Sequence, residues 1–227
     1  MRVLALDTVL DACAAGVLDT ERRDLVASET VPMARGHAEA LMPLIARVMD
    51  AAHLDFADID RIAVTVGPGS FTGVRVGIAA ARGIALAAGK PAIGLTTLAV
   101  FTAPYVAAGF AGTVIPVIDA RHGHVYMQVF GPGGRATTPP RLASLRDAVE
   151  AARGRAPALI TGSAADLVVA EWPADEPAPR VVAASAPDIG WVARLGAAAE
   201  PDRALPKPLY LRPPDARPQD AARIARQ

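Results

Sequence analysis

The stretch Gly67 to Ala88, GPGSFTGVRVGIAAARGIALAA, constrains the fold of this chain more than any other. The β-branched run Ile62 to Val66 ahead of it predicts a strand, which Gly67-Pro68-Gly69 ends in a turn. Ser70 or Thr72 then stands where a side-chain oxygen accepts from the first free amides of a helix. That helix runs to about Ala88 and stops at Gly89, with Lys90 and Pro91 beyond. Its only charges are Arg75 and Arg82, two turns apart on one stripe. Val74, Val76, Ile78, Ile84 and Leu86 point in several directions, and Gly73, Gly77, Gly83 and alanines fill the rest. A helix apolar nearly all round is buried nearly all round. Each interior glycine costs about 1 kcal/mol against alanine, so close approach of another backbone is expected to offset it. One face is expected on the sheet that Ile62 to Val66 joins, and the other needs a partner from this chain or another.

The glycines do not spell a phosphate-binding motif. A dinucleotide fingerprint needs glycine at 67, 69 and 72, but position 72 is Thr72. A P-loop needs Gly-Lys-Ser/Thr, and no lysine follows these glycines before Lys90. A turn with a packing helix is favoured over a phosphate cradle.

The 227 residues suffice for one large domain or two small ones. Hydrophobic residues make up 52% but aromatics only 4%, so alanine, valine and leucine must build the core. The 23 basic and 23 acidic residues cancel, which argues against gripping nucleic acid by an overall field. Cys13 stands alone, so no internal disulfide forms and a reducing compartment suits the chain. Met1-Arg2 leads straight into a strand-like run with no signal segment. The 73–88 helix, with two arginines, is short for a bilayer span. The expectation is a soluble, cytoplasmic protein with no membrane contact.

In chain order, Arg2 to Leu6, Asp11 to Leu18 and Leu25 to Thr30 read as a meander that opens on Asp7-Thr8. Ala38 to His53 reads as a helix, with Leu41, Leu44, Ile45, Val48 and Ala52 on one stripe that Met42 and Met49 widen. The breadth of that stripe leaves two readings open, ordinary core or a partner-binding face. After the central strand and helix come a strand at 91–95 and a helix at 98–108, capped by Thr96 or Thr97. Gly109 to Gly112 marks a boundary between a first lobe, 1–110, and a smaller second lobe, 111–227. The second lobe opens as the first does: strand Thr113 to Asp119, turn, return strand Val125 to Phe130. Helices at 145–153, 164–171 and 188–199 and strands at 158–161 and 180–184 follow. A proline-rich tail starts at Pro201 and includes an extended run at 208–212, and the residues from Asp215 read as frayed or a short helix. The pattern predicts an α/β protein with mixed sheets flanked by helices.

Four runs in this order carry a resemblance: Leu4-Ala5-Leu6-Asp7-Thr8, Gly67-Pro68-Gly69-Ser70-Phe71-Thr72-Gly73-Val74-Arg75-Val76-Gly77, Ile118-Asp119-Ala120-Arg121 and Tyr210-Leu211-Arg212. With them the chain resembles the TsaB (YeaZ) family over essentially its whole length. The resemblance implies the two-lobed fold of sugar kinases, heat-shock ATPases and actin. It implies a non-catalytic partner of TsaD, the paralogue that transfers a threonylcarbamoyl group to the adenosine beside the anticodon of certain tRNAs. It further implies pairing with TsaD through first-lobe helices, work with the ATPase TsaE, a homodimer when alone, and tRNA reached only through the complex. No cofactor is implied.

The residues allow a test of the non-catalytic reading. The catalytic relative holds a metal with two histidines one helical turn apart. Here His37 is matched four residues on by Leu41, and one histidine does not make a metal site. A capping or surface role is expected for His37. His122 and His124 have strand spacing but sit in a polar turn, and Cys13 reads as a buried, inert thiol. Asp7, with Thr8 beside it, and Asp119 hold the positions that face nucleotide phosphates in the fold group. Here they are vestiges of a nucleotide site or braces for their turns. The partner interface is expected to involve Leu41, Met42, Ile45 and Met49 on the first helix and Arg75, Ile78 and Arg82 on the second. Against an interaction subunit stand two alternatives. One is a metal-dependent glycopeptidase-like or ATP-binding enzyme of the same superfamily. The other is a tRNA-binding module acting alone, disfavoured by zero charge and few aromatics.

Overall fold

The structure is a computed structural model and describes residues 1–212; the reading of residues from Asp215 lies outside them. The chain alternates β1 (Arg2–Asp7), β2 (Ala12–Asp19), β3 (Asp24–Pro32), α1 (His37–Ala52), β4 (Arg61–Thr65), α2 (Phe71–Ala88), β5 (Ala92–Leu95) and α3 (Thr97–Ala107). The same order then repeats: β6 (Thr113–Asp119), β7 (His124–Met127), β8 (Arg141–Ser144), α4 (Leu145–Ala152), β9 (Ala158–Gly162), α5 (Ala165–Ala170), β10 (Arg180–Ala183) and α6 (Ile189–Ala198). The first sheet has the order β3-β2-β1-β4-β5 and the second β8-β7-β6-β9-β10. In each, the first three strands pair antiparallel and the last two run parallel to the first. The two lobes are one duplicated topology.

Alternation along β1 shows why the first sheet is covered on both faces. Leu4 and Leu6 join a core with Leu41, Leu44, Ile45 and Ile78 of α1 and α2. Val3 and Ala5 point to the opposite face and join Ile189, Val192 and Ala193 of α6. The helix that closes the second half therefore packs on the first sheet, seated by Gly196, where a side chain would collide with Ala63. Arg61 of β4 fixes its far end, donating to the carbonyls of Gly196, Ala197 and Ala199 at 2.9–3.1 Å. Conversely, α3 closes the first half but shares a core with the second sheet, Leu98 and Phe101 against Ile118 and Phe130.

This exchange corrects the division at residue 110. The chain does turn into a second sheet there, but residues 189–198 belong to the first lobe's core. Two strand readings also change. The return strand ends at Met127, and Phe130 makes only isolated bridges to Val114 and Ala136. β8, absent from the sequence reading, supplies the second lobe's third strand by pairing with β7.

The helix starts follow the capping residues. Ser70 accepts from the Gly73 amide at 3.3 Å and Thr96 from Ala99 at 3.2 Å, and Gly89 ends α2 in the left-handed conformation. α2 has the length and apolarity of a membrane span. Its residues Gly73, Val74, Gly77, Ile78, Ala81 and Ala85 are buried on the first sheet, but they are only 33% of the span, so the expectation of a helix buried nearly all round is corrected to one buried face.

Candidate functional site

The turn after β4 and the start of α2 press against the turn after β1. The Thr8 hydroxyl donates to the Gly73 carbonyl at 2.7 Å. A Cβ on Gly73 would collide with the Thr8 carbonyl oxygen, and one on Gly77 would stand 2.6 Å from the Thr8 hydroxyl. Gly69 meets Val9 in the same way, and the Ser70 amide donates to the Val9 carbonyl at 2.8 Å. The glycines of this motif bring helix and strand backbone together.

That contact seals the first-lobe candidates. Asp7 and Thr8 are wholly buried. One Asp7 oxygen accepts a short hydrogen bond from the Thr65 hydroxyl at the end of β4, and the other has no partner among the described residues. Burial pushes the Asp7 carboxyl up to about 7, against the lowering pull of Thr65 and of the Val9 amide. Asp7 and Thr8 thus present no surface to a nucleotide, and of the two expectations for them, vestige or brace, their hydrogen bonds to Thr65 and Gly73 are those of a brace. The second-lobe counterpart differs. Asp119 is half-buried, accepts from the Arg121 amide at 2.8 Å and pairs with the Arg121 guanidinium at 3.5 Å. It lines an interlobe cleft of about 550 Å³, together with Leu10, His37, Gly69, Phe71 and Arg121. Asp7 does not line that cleft, so the two aspartates do not converge on one site.

The remaining candidates are structural. His37 is buried at the start of α1, and its Nε2 donates to the Leu10 carbonyl at 2.9 Å. It ties α1 to the β1–β2 turn, a role other than the expected cap or surface position. His124 Nδ1 donates to the His122 carbonyl at 2.8 Å, and His122 and Arg121 both adopt positive φ in a tight turn. Burial raises the Cys13 thiol to about 11, with the Asp7 charge adding to it, so it stays protonated. Among the described residues, no three His, Cys, Asp or Glu side chains cluster as a metal site would require.

One side of the cleft is the C-terminal segment. Gly94 donates to the Ala204 carbonyl and Leu209 to the Val66 carbonyl, at 2.7 and 2.8 Å. Tyr210 then accepts from Arg75 Nε at 3.1 Å and packs its ring 5.1 Å from Phe71, over which the Arg75 guanidinium lies at 3.8 Å. Arg212 reaches the second lobe at the Ala120 carbonyl, 3.2 Å away. The segment straps the two lobes across the cleft. The sequence reading gave it as extended and did not anticipate this role.

The helical face divides the expected interface residues. Leu41, Ile45, Met49 and Ile78 are buried in the chain's own core. They form the inward stripe of α1 and α2, so their assignment to an accessible interface is corrected. Met42, 51% exposed, and Leu86, 85% exposed, lie outside, as do Arg75 and Arg82. Between α1 and α2 opens an apolar groove of about 530 Å³, walled by Met42 and Phe56 and floored by Ala80, Gly83, Ile84 and Ala87. Sequence reasoning did not name Phe56, and it named Gly83 only as an interior glycine in want of a neighbouring backbone, not as part of the interface.

A duplicated α/β topology with exchanged closing helices, a sealed first-lobe turn and an apolar helical groove define a two-lobed protein of the actin and sugar-kinase fold class. Residues 30–150, just over half of the chain, match the family model described as TsaD, tRNA N6-adenosine threonylcarbamoyltransferase. The chain belongs to this family, on the side of its TsaB (YeaZ) members. It is 36% identical over 126 residues to the tRNA threonylcarbamoyladenosine biosynthesis protein TsaB of Escherichia coli, an alignment covering 56% of this chain and 53% of that one. The match thus spans about half the length of that relative. An uncharacterized protein of Mycobacterium tuberculosis is 33% identical over 219 residues, covering 95% of this chain and 94% of its own. In fold, YeaZ from Pseudomonas aeruginosa superposes with a TM-score of 0.76 at 24% identity, covering 92% of this chain and 99% of that one.

Proposed function

We propose that this chain is a non-catalytic subunit of the machinery that attaches a threonylcarbamoyl group to the adenosine beside the anticodon of tRNA, and that it pairs with a TsaD-type catalytic paralogue. The observation that carries the reading is the sealing of Asp7 and Thr8 under Gly73 and Gly77. The turn that faces phosphates in catalytic members of the fold class is here filled by the chain's own helix. What the first lobe offers instead is the apolar groove between α1 and α2, with Met42 and Phe56 exposed in its lining. Large exposed apolar side chains around a groove suit a protein partner. We place the pairing surface there, with a cytoplasmic complex reaching tRNA through the catalytic subunit, a TsaE-type ATPase as the third component and a homodimer when the paralogue is absent.

The test is reconstitution. The chain, a TsaD-type protein and a TsaE-type ATPase are purified separately and combined with tRNA, ATP and the threonylcarbamoyl donor, and modified nucleosides are measured by mass spectrometry. Modification is expected only when chain and paralogue are both present, and the chain alone is expected to yield none. Modification by the chain alone, or ATP turnover by it at micromolar substrate, contradicts the reading.

A further inference from the structure

Zero net charge hides a division of sign along the chain. Residues 1–60 carry five basic residues against eleven acidic ones, whereas residues 61–160 carry ten against three. Such asymmetry suits a polyanion on the basic part, even in a chain that is neutral as a whole. The fold gathers several of these bases at the mouth of the interlobe cleft.

The first-lobe side of the mouth is aromatic. Of the ten aromatic residues only Phe56, Phe71 and Tyr210 are exposed, and the last two stand together here under the Arg75 guanidinium. The second-lobe side is basic. Arg121, His122 and His124 are exposed in the β6–β7 turn, and Arg212 reaches the Ala120 carbonyl beside it. The Leu145 amide donates to the Gly123 carbonyl at 3.2 Å, which sets the start of α4, with exposed Arg146, next to the same turn. Three carboxylates are near. Asp147 is occupied by the Ser144 amide and hydroxyl. Asp119 pairs with Arg121, whose side chain nevertheless stays 77% exposed. Asp11 lies on the first-lobe wall.

Local structure does not call for these bases. Arg121 and His122 hold positive φ, which glycine or asparagine adopts with less strain. Arg146 stands in the first turn of α4, where the helix dipole favours an acidic side chain. Arginines take phosphates, and aromatic faces take bases that are not already stacked in a duplex.

We propose that the cleft mouth is an RNA-contacting surface, with Arg121 and Arg146 on phosphates and the Phe71–Tyr210 pair against an unpaired base of a looped RNA. This rests on the functional reading above: the RNA is the tRNA held by the catalytic paralogue, and the chain adds a second contact once the two are paired. The α1–α2 groove starts at Ala80 on α2, and Gly83 on its floor is about 18 Å along the helix from Phe71, so a partner seated there leaves the mouth open.

The experiment uses the full chain in complex with the TsaD-type protein and measures tRNA affinity by filter binding from about 50 to 200 mM salt. Native mass spectrometry and melting temperature confirm that each variant is folded and paired. The double variant Arg121→Gln, Arg146→Gln is expected to bind about tenfold more weakly at low salt, with the slope of log affinity against log salt shallower by about 1.5. Tyr210→Ala is expected to lose about fivefold or more at every salt concentration, and Tyr210→Phe, which keeps the ring, to bind as wild type. Wild-type affinity and slope in the double variant overturn the surface while leaving the pairing intact. Weaker binding at an unchanged slope also overturns it, because phosphate contacts are then not what was lost. Equal losses in Tyr210→Phe and Tyr210→Ala overturn the stacking contact. Failure of the wild type to pair with the TsaD-type protein defeats the functional reading and the RNA contact with it.

Discussion

Thr8 and Gly73 are locked together across the first lobe: the Thr8 hydroxyl donates to the Gly73 carbonyl at 2.7 Å, and the Thr8 carbonyl fills the space a Gly73 side chain would take. Gly73→Ala must push α2 off the β1 turn. Overpacking of this kind costs about 1–3 kcal/mol, or roughly 2–4 °C of melting temperature per kcal/mol in a domain of this size. Thermal unfolding of the variant checks it. Gly83→Ala, ten residues along the same helix, is expected to shift the melting temperature the other way, because a Cβ there meets nothing within 4 Å.

Asp7 gives a second expectation, in pH. Its folded value of about 7 lies above the roughly 3.9 of an unfolded aspartate. Its contribution to stability is therefore full below about pH 4, declines as pH rises, and levels off once Asp7 is ionised in both states above about 7. Asp7→Asn removes that decline. The stability difference between variant and wild type, from urea unfolding at pH 4.5, 6 and 8, should move in favour of the asparagine across this range. Other carboxylates titrate in both proteins and cancel in the difference, so a flat difference contradicts the buried, protonated carboxyl.

How far these sites were legible depends on which neighbour decides them. The caps at Ser70 and Thr96 and the stop at Gly89 are local: the sequence reading gave the stop, and each cap as one of two candidates, Ser70 or Thr72 and Thr96 or Thr97. The close approach at Gly73 was foreseen as a glycine that needed a reason, though not that Thr8 supplied it. β8 escaped because Arg-Leu-Ala-Ser has no β-branched residue and is held as a strand by β7 alone. The exchange of α3 and α6 is a relation between distant segments that no local pattern encodes. Met42 and Met49 share one stripe at seven-residue spacing, yet one is exposed and the other buried. Periodicity gives the stripe but not where along it the neighbouring element ends.

Arg61 holds α6 on the first sheet through three carbonyls at the helix's C-terminal end. Arg61→Met keeps the apolar stem and removes the charge-assisted hydrogen bonds. A loss of about 2–3 kcal/mol is expected in urea unfolding. Hydrogen exchange should localise the loosening to residues 189–199 rather than to the second sheet.

The buried and exposed parts of α1 should separate on substitution. Ile45→Glu places an unpaired charge in the core, and destabilisation by about 3–5 kcal/mol is expected, seen as loss of soluble, cooperatively folding protein. Met42→Glu places the same charge on an exposed wall of the groove, and its melting temperature should stay within about 2 °C of wild type.

Met42→Glu also supplies the most direct measurement of the central claim, that the α1–α2 groove seats the catalytic paralogue. Native mass spectrometry of equimolar mixtures with the TsaD-type protein reads out both species and complex. The account predicts a stable one-to-one complex for the wild-type chain and separate components for the folded Met42→Glu variant. Separate components with the wild type, or an undiminished complex with the variant, would contradict it.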